Sequence, residues 1–200
     1  MTLTRDDEHR YFLGRLELPG VTTVLETLGL RDKYPHSNAP REGTAVHLAT
    51  ALHDQGELER VGPALEPYLD EYKRFLAMYH PEFLRIEQML YHPVLMYAGQ
   101  IDREAIITGK RWVIDLKRSD YKVARCTDLQ TMAYAVLVSN RPEDALSITR
   151  AAVRLSSKGK DPHVTIFEDN ETSLRAWLGA VDLYRWVIKS GITVTRTIAA

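Results

Sequence analysis

Residues 97–117, YAGQIDREAIITGKRWVIDLK, decide how this chain is read. Two runs rich in Ile, Val and Ala flank Gly109-Lys110, and a two-residue loop that begins with Gly, free to take a positive φ, makes those runs the arms of a β-hairpin. That loop sets Thr108 opposite Arg111, Ile106 opposite Val113, Glu104 opposite Asp115 and Asp102 opposite Lys117. Directly opposed residues project from the same side of a sheet. One side therefore gathers Asp102, Glu104, Asp115 and Lys117, while Ile101, Ala105, Ile107, Trp112, Ile114 and Leu116 form the core side.

Working upstream, a short helical run, VTTVLETLGL, ends near Gly29, and residues 33–41, with two prolines, read as a loop. Ala45, Val46, Leu48, Ala49 and Leu52 recur at helical steps from Glu42 towards Leu58, with Gly56 as the stop. A further helix runs from about Pro63 to His80, carrying Leu65, Leu69, Tyr72, Leu76 and Tyr79 as its apolar stripe. Three or more strands follow from Phe83 to Lys117, broken at His92-Pro93, Gly99 and Gly109-Lys110.

Downstream, Ala124 to Ser139 has helical spacing with Leu129, Met132, Ala133, Val136 and Leu137 inward. Ala145 to Ser156 alternates as a strand, residues 158–161 turn it, and His163 to Phe167 pairs back. Asp169 or Asn170 caps a last helix that reaches about Lys189. The expected architecture is one α/β domain over residues 1–200, a mixed central sheet flanked by helices, with an N-terminal helical portion over about 1–80.

Composition narrows the function classes. The chain has 200 residues, 44% hydrophobic and 26% charged, which suits a globular fold rather than a fibrous or disordered one. No apolar run approaches the roughly 20 residues of a membrane-spanning helix, and the opening MTLTRDDEHRYF is too acidic and polar for a secretory or transit peptide, so an intracellular location is expected. Cys126 is the single cysteine, which rules out an internal disulfide and leaves any metal to O and N ligands. The net charge of -1 is unevenly spread: residues 54–72 hold six acidic residues against one Arg, and residues 103–125 hold seven Lys/Arg against three Asp/Glu. The second stretch reads as an anion-binding surface or as a solvated face.

Asp102 and Asp115 form a diagonal pair in this register, about 7–8 Å apart at the backbone. Carboxylates so placed reach one hard divalent ion between them, with Mg–O bonds of roughly 2.0–2.1 Å. Lys117, two residues from Asp115, points the same way and holds or deprotonates a metal-bound water or neutralises charge developing on a phosphate. The same residues also admit a solvent-facing ladder in which Asp102 and Lys117 form an ordinary cross-strand ion pair.

Gly99-Gln100-Ile101-Asp102, then Asp115-Leu116-Lys117, then Gln130-Thr131-Met132-Ala133-Tyr134 resemble, in order and spacing, the PD-(D/E)XK nucleases, in particular the RecB-like and phage exonuclease branch, whose pattern runs G-x-x-D, D-x-K, Q-x-x-x-Y. Gly43-Thr44-Ala45-Val46-His47 is similar to the G-x-x-x-H of that branch's upstream helix, so the resemblance covers about residues 40–140. It implies a restriction-endonuclease-like core in α-β-β-β-α-β order. It implies Asp102 and Asp115 as metal ligands, the Leu116 carbonyl and His47 as further ligands, and Lys117 as the group that orients and activates the attacking water. Gln130 and Tyr134, four residues apart on one helix face, would bind a phosphate or fix Lys117. Glu87 matches a position often acidic in such proteins and is a supporting residue. Arg118, Ser119, Lys122 and Arg125 follow the lysine and line a strand-binding groove or a plain solvated loop.

The implied cofactor is Mg²⁺, with Mn²⁺ able to substitute. Asp at the middle carboxylate, where many relatives have Glu, leaves one ion or two open. The four-cysteine iron–sulfur cluster of CRISPR-adaptation and helicase-linked relatives is excluded by Cys126 standing alone. The combined reading is a metal-dependent deoxyribonuclease, a phage-type exonuclease of recombination, repair or replication, acting in the cytoplasm of a bacterial or phage-infected cell. Its expected partners are DNA, a single-strand annealing or other recombination protein, and further copies of the chain. Three alternatives stay open: a structure-specific endonuclease, a DNA-binding module without turnover, and a partner subunit of a repair complex. The last would dock through the 63–80 helix or through the C-terminal helix with Trp177, Tyr184 and Trp186.

Overall fold

The computed structural model describes residues 1–31, 39–118, 126–139, 141–158 and 160–194. Five strands form the central sheet: β4 (Glu82–Tyr91), β5 (Ala98–Ile107), β6 (Lys110–Arg118), β7 (Thr149–Leu155) and β8 (His163–Phe167), in that spatial order. Every neighbouring pair is antiparallel except β6 and β7. A parallel pair needs a crossover, and α4 (Thr127–Val138) with a 3-10 turn over Pro142–Ser147 supplies it. That turn occupies the start of the expected strand at Ala145, so β7 begins at Thr149.

Two apolar clusters fix the layers. On one side, α2 (Ala39–Gln55) and α3 (Glu66–Tyr79) bring Val46, Tyr68, Leu69, Tyr72 and Phe75 against Ala105, Ile107, Trp112, Ile114 and Leu116. On the other, α1 (Val21–Thr27), α4 and α5 (Asn170–Ser190) pack Val24, Met132, Val136 and Trp177 against Val113. Trp177 meets Tyr97 edge to face at 5.0 Å, so it is core, whereas Trp186 is 56% exposed. Asp169 caps α5, its carboxylate accepting from the Thr172 amide. This is the mixed sheet between helices that the sequence pattern led us to expect.

Three further features differ from the sequence reading. The hairpin turn lies one residue earlier, at Thr108-Gly109, both with positive φ (48° and 73°), the signature of a type I′ turn. Ile106 consequently faces Arg111 and Glu104 faces Val113. The shift moves partners by two, so Ala105, Ile107, Trp112, Ile114 and Leu116 keep their expected side against α2 and α3, whereas Ile101, expected with them, packs with Val113 in the cluster under α4. That polar side is nevertheless buried, with Asp102, Glu104 and Asp115 at 8%, 0% and 1% exposure, because α4 lies over it and Arg111 donates to the Val138 carbonyl at the helix end. Glu104 takes no part in the acidic patch, being held by Arg85 and Arg111.

Finally, the N-terminal portion is not purely helical. β1 (Leu3–Arg5), β2 (Tyr11–Leu13) and β3 (Leu16–Leu18) form a separate antiparallel sheet. Tyr11, Leu13 and Leu18 pack it on Ala98 at the start of β5, and Ala98 donates its amide to the Pro19 carbonyl at 2.9 Å. Among the described residues, no helix is long and apolar enough to cross a membrane.

Candidate active site

The sheet itself assembles a row of three carboxylates. The pairs Ile86↔Arg103 and Gln88↔Ile101 set Glu87 level with Asp102, and the pair Arg103↔Ile114 sets Asp102 level with Asp115. At this row β5 and β6 part. Their ladder ends at Arg103↔Ile114, while β6 stays paired to β7 as far as Arg118↔Leu155. The Leu116 amide, which lost its place in that ladder, donates instead to Asp102 Oδ2 at 2.7 Å. The split opens the sheet beside Asp102 and turns its carboxylate into a substitute main-chain acceptor.

Glu87 is brought into the group by an unusual backbone. It has φ of 48° in the middle of β4, a left-handed conformation that is costly for a residue with a Cβ and is found where surrounding contacts hold it. Those contacts are Gln100 Nε2 on Glu87 Oε2 at 2.7 Å and the Arg103 guanidinium on Oε1 at 3.0 Å. Arg103 is fully buried. It also binds Asp54 Oδ2 at 2.6 Å, Thr50 Oγ1 and the Asp102 carbonyl.

From α2, His47 reaches the same point. Its Nδ1 lies 3.4 Å from both Glu87 Oε1 and Asp102 Oδ1, and one ligand atom from each of the three residues falls within 4.8 Å of the others. Burial disfavours the charged ring, but the Asp102 and Glu87 carboxylates outweigh it and hold the imidazole up to about 10. Asp102 resists burial in the same exchange and is lowered, chiefly by His47 and then by Lys117 and the Leu116 amide.

Asp115 stands outside that triad. Lys117 Nζ is 2.7 Å from its Oδ2. Burial pushes the Asp115 carboxyl up to about 6 against the pull of Lys117, and the neighbouring Asp102 charge adds to the rise. Lys117 also donates to Gln130 Oε1 at 3.2 Å, and Gln130 Nε2 donates to the Tyr134 hydroxyl at 3.0 Å. Both α4 residues are only 6% exposed, so their geometry is that of a bracket on Lys117 and not of a phosphate-facing surface. The close approach of α4 explains Gly99: a Cβ there would meet Tyr134, Leu137 and Val21 at 3.0–3.1 Å.

Of the remaining expected contacts, Arg118 lies across the sheet from Lys117, its guanidinium 5.6 Å from the Tyr68 ring of α3. It does not join the acidic row. Ser119, Lys122 and Arg125, with much of the loop over 33–41, lie outside the described residues. Leu116 is placed at the site through its amide. Arg103 and Asp54 were not anticipated, although the alternation put Arg103 on the apolar side between Ile101 and Ala105, where a cation demands a buried counter-ion.

The donor set suits a divalent cation of hard or borderline character. One imidazole nitrogen and two carboxylate oxygens 3.4 Å from it approximate neighbouring positions on a six-coordinate ion, which at bonds near 2.1 Å lie about 3 Å apart. Imidazole favours Mn²⁺ over Mg²⁺, and the carboxylates accept either.

No protein-family model matches the chain, and no curated protein matches it in sequence. The fold has a solved counterpart. A provisionally named exonuclease from Eubacterium rectale superposes with a TM-score of 0.54 at 13% identity, over 91% of this chain and 91% of its own. At that identity the likeness establishes the fold, a restriction-endonuclease-like one. An alkaline exonuclease from Laribacter hongkongensis, at TM-scores of 0.30 free and 0.31 in complex with dAMP, shows 10% identity over 86–87% of this chain and 92–93% of its own. Scores that low carry no argument.

Proposed function

We propose that this protein is a divalent-metal-dependent deoxyribonuclease that hydrolyses phosphodiester bonds, of the exonuclease type that serves phage recombination, repair or replication. One observation carries the reading. Asp102, Asp115 and Lys117, whose spacing resembles that of the PD-(D/E)XK nucleases, share the split between β5 and β6 with a His–Glu–Asp ligand group. The counterpart named as an exonuclease agrees with it.

His47, Glu87 and Asp102 would hold the ion, with Asp115 and the Leu116 carbonyl as the further ligands that the resemblance implies. Mg²⁺ or Mn²⁺ bound there supplies Lewis-acid polarisation of a phosphate oxygen and lowers the pKa of a coordinated water. The protein's own groups do the rest. Lys117, fixed by Asp115 and Gln130, has one N–H direction left for the attacking water or a phosphate oxygen. As water attacks phosphorus in line, its proton passes to the Asp115–Lys117 pair, the P–O3′ bond breaks, and the 3′ oxygen leaves as a hydroxyl by taking a proton from solvent. The products are a 5′-phosphate and a 3′-hydroxyl.

Purified protein should degrade linear DNA with Mg²⁺ or Mn²⁺ and lose that activity in EDTA. Nicking of closed circles would indicate an endonuclease instead. Tight DNA binding without cleavage at any metal concentration would indicate a binding module and overturn the proposal.

A further inference from the structure

The N-terminal sheet brings a cation to the rim of this site. Arg5, exposed at the end of β1, places NH1 2.5 Å from Gln100 Oε1, and the other end of that carboxamide is bonded to Glu87. A single side-chain amide therefore separates the Arg5 guanidinium from a carboxylate of the ligand triad. Among the described residues, no carboxylate is paired with Arg5, whereas Arg10, in the connection between β1 and β2, is tied to Asp6 and Glu8.

The position is fixed by packing. Ala98 and Pro19 join the two sheets through the main chain, and Gly20 lets the Tyr11 ring lie where a Cβ would come within 3.1 Å of it. An open groove of about 610 Å³ runs between Leu3 of β1 and the Phe83–Met89 stretch of β4, with Glu87 in its wall. A guanidinium offering several donors, one side-chain amide away from the Glu87 that forms part of the groove wall, has the chemistry of a phosphate fork.

We propose that Arg5 is a DNA-phosphate contact and that the β1–β3 sheet is a wing that holds one strand of the substrate in the groove leading to Glu87. The proposal deepens the nuclease reading by naming a residue that positions its substrate. It makes the contact sequence-independent, since phosphate contacts set register and carry no base information.

Equilibrium binding of a labelled oligonucleotide by fluorescence anisotropy, in EDTA so that nothing is cut, tests it with wild type, Arg5→Gln, Arg5→Lys and Arg10→Gln. Arg5→Gln should weaken binding about tenfold, the size of one lost charge-assisted hydrogen bond. It should also reduce the slope of log K against log salt by about one. Arg5→Lys should recover the slope and part of the affinity, and Arg10→Gln should match wild type. Unchanged affinity and slope in Arg5→Gln, an equal loss in Arg10→Gln, or a wild type that does not bind DNA overturns the proposal. If Arg5→Gln shows the predicted loss while wild type cuts nothing with metal, the wing stands and the nuclease reading falls.

Discussion

Arg103 Nε lies 2.6 Å from Asp54 Oδ2, and neither side chain is exposed at all. The pair sits behind the ligand triad, with Tyr72 donating its hydroxyl to the same Asp54 oxygen at 2.6 Å and Arg103 reaching forward to Glu87. A charge in such a place is expensive unless every partner is present. Here the partners are supplied by α2, α3, β4 and β5, so the ion pair ties the helical layer to the strand that carries the left-handed glutamate.

Arg103→Met should accordingly destabilise the fold by about 3–5 kcal/mol, because it strands Asp54 and leaves Glu87 without its anchor. At roughly 2–4 °C per kcal/mol for a chain of this size, the melting temperature should fall by on the order of 10 °C. Arg103→Met with Asp54→Leu should recover part of the loss. A single variant that melts with wild type would show that the pair contributes nothing to holding α2 on the sheet.

Asp115→Ala and Lys117→Ala should each fold and bind DNA yet cut it at least about 10²-fold more slowly, the scale of losing one positioned transition-state group. The comparison is made on end-labelled DNA with Mg²⁺, with affinity measured separately in EDTA. Equal cutting by wild type and both variants would remove these residues from the site. Gln130→Ala should slow cutting less than Lys117→Ala, since Asp115 still holds the ammonium.

His47 gives a pH signature in the metal-free protein. Its folded-state pKa is raised from 6.5 to about 10, so the ionised ring stabilises the fold fully below about pH 6.5, and that contribution disappears as pH rises through about 10. In EDTA, the melting temperature of wild type should drop relative to His47→Gln between pH 6.5 and 10. Parallel curves for the two proteins across that range would contradict the carboxylate cage around the ring.

Gly99→Ala should cost about 1–3 kcal/mol, because the new methyl group has Tyr134, Leu137 and Val21 already in its space. Thermal melting measures the cost. Any relaxation that moves Tyr134 also loosens its grip on Gln130, so cutting should slow in the same variant.

Much of this was legible in the residues. Alternation across YAGQIDREAIITGKRWVIDLK sorts Ala105, Ile107, Trp112, Ile114 and Leu116 correctly even with the turn one residue out, because a slip by two keeps parity, but it misplaces Ile101, which packs under α4. The acidic patch was legible as a grouping but not as an environment. Nothing local to Asp102 or Asp115 says that α4, a dozen residues further on, will close over them. Glu87 was harder still, since its place depends on a left-handed backbone that ordinary strand residues avoid and that Arg103, Gln100 and His47 hold from other elements. The first eighteen residues hold strands of three residues each, too short for a period of two to stand out.

The break in β4 has a second effect. That strand is the outer border of the sheet, ten residues long, and a straight border of such length is a template on which another polypeptide can zip. Turning the backbone over at Glu87 interrupts the run of outward-facing amides and carbonyls midway, so an intruding chain finds no continuous rail to follow. One twisted residue thus both aims a carboxylate inward and keeps the protein from clumping along its longest open margin.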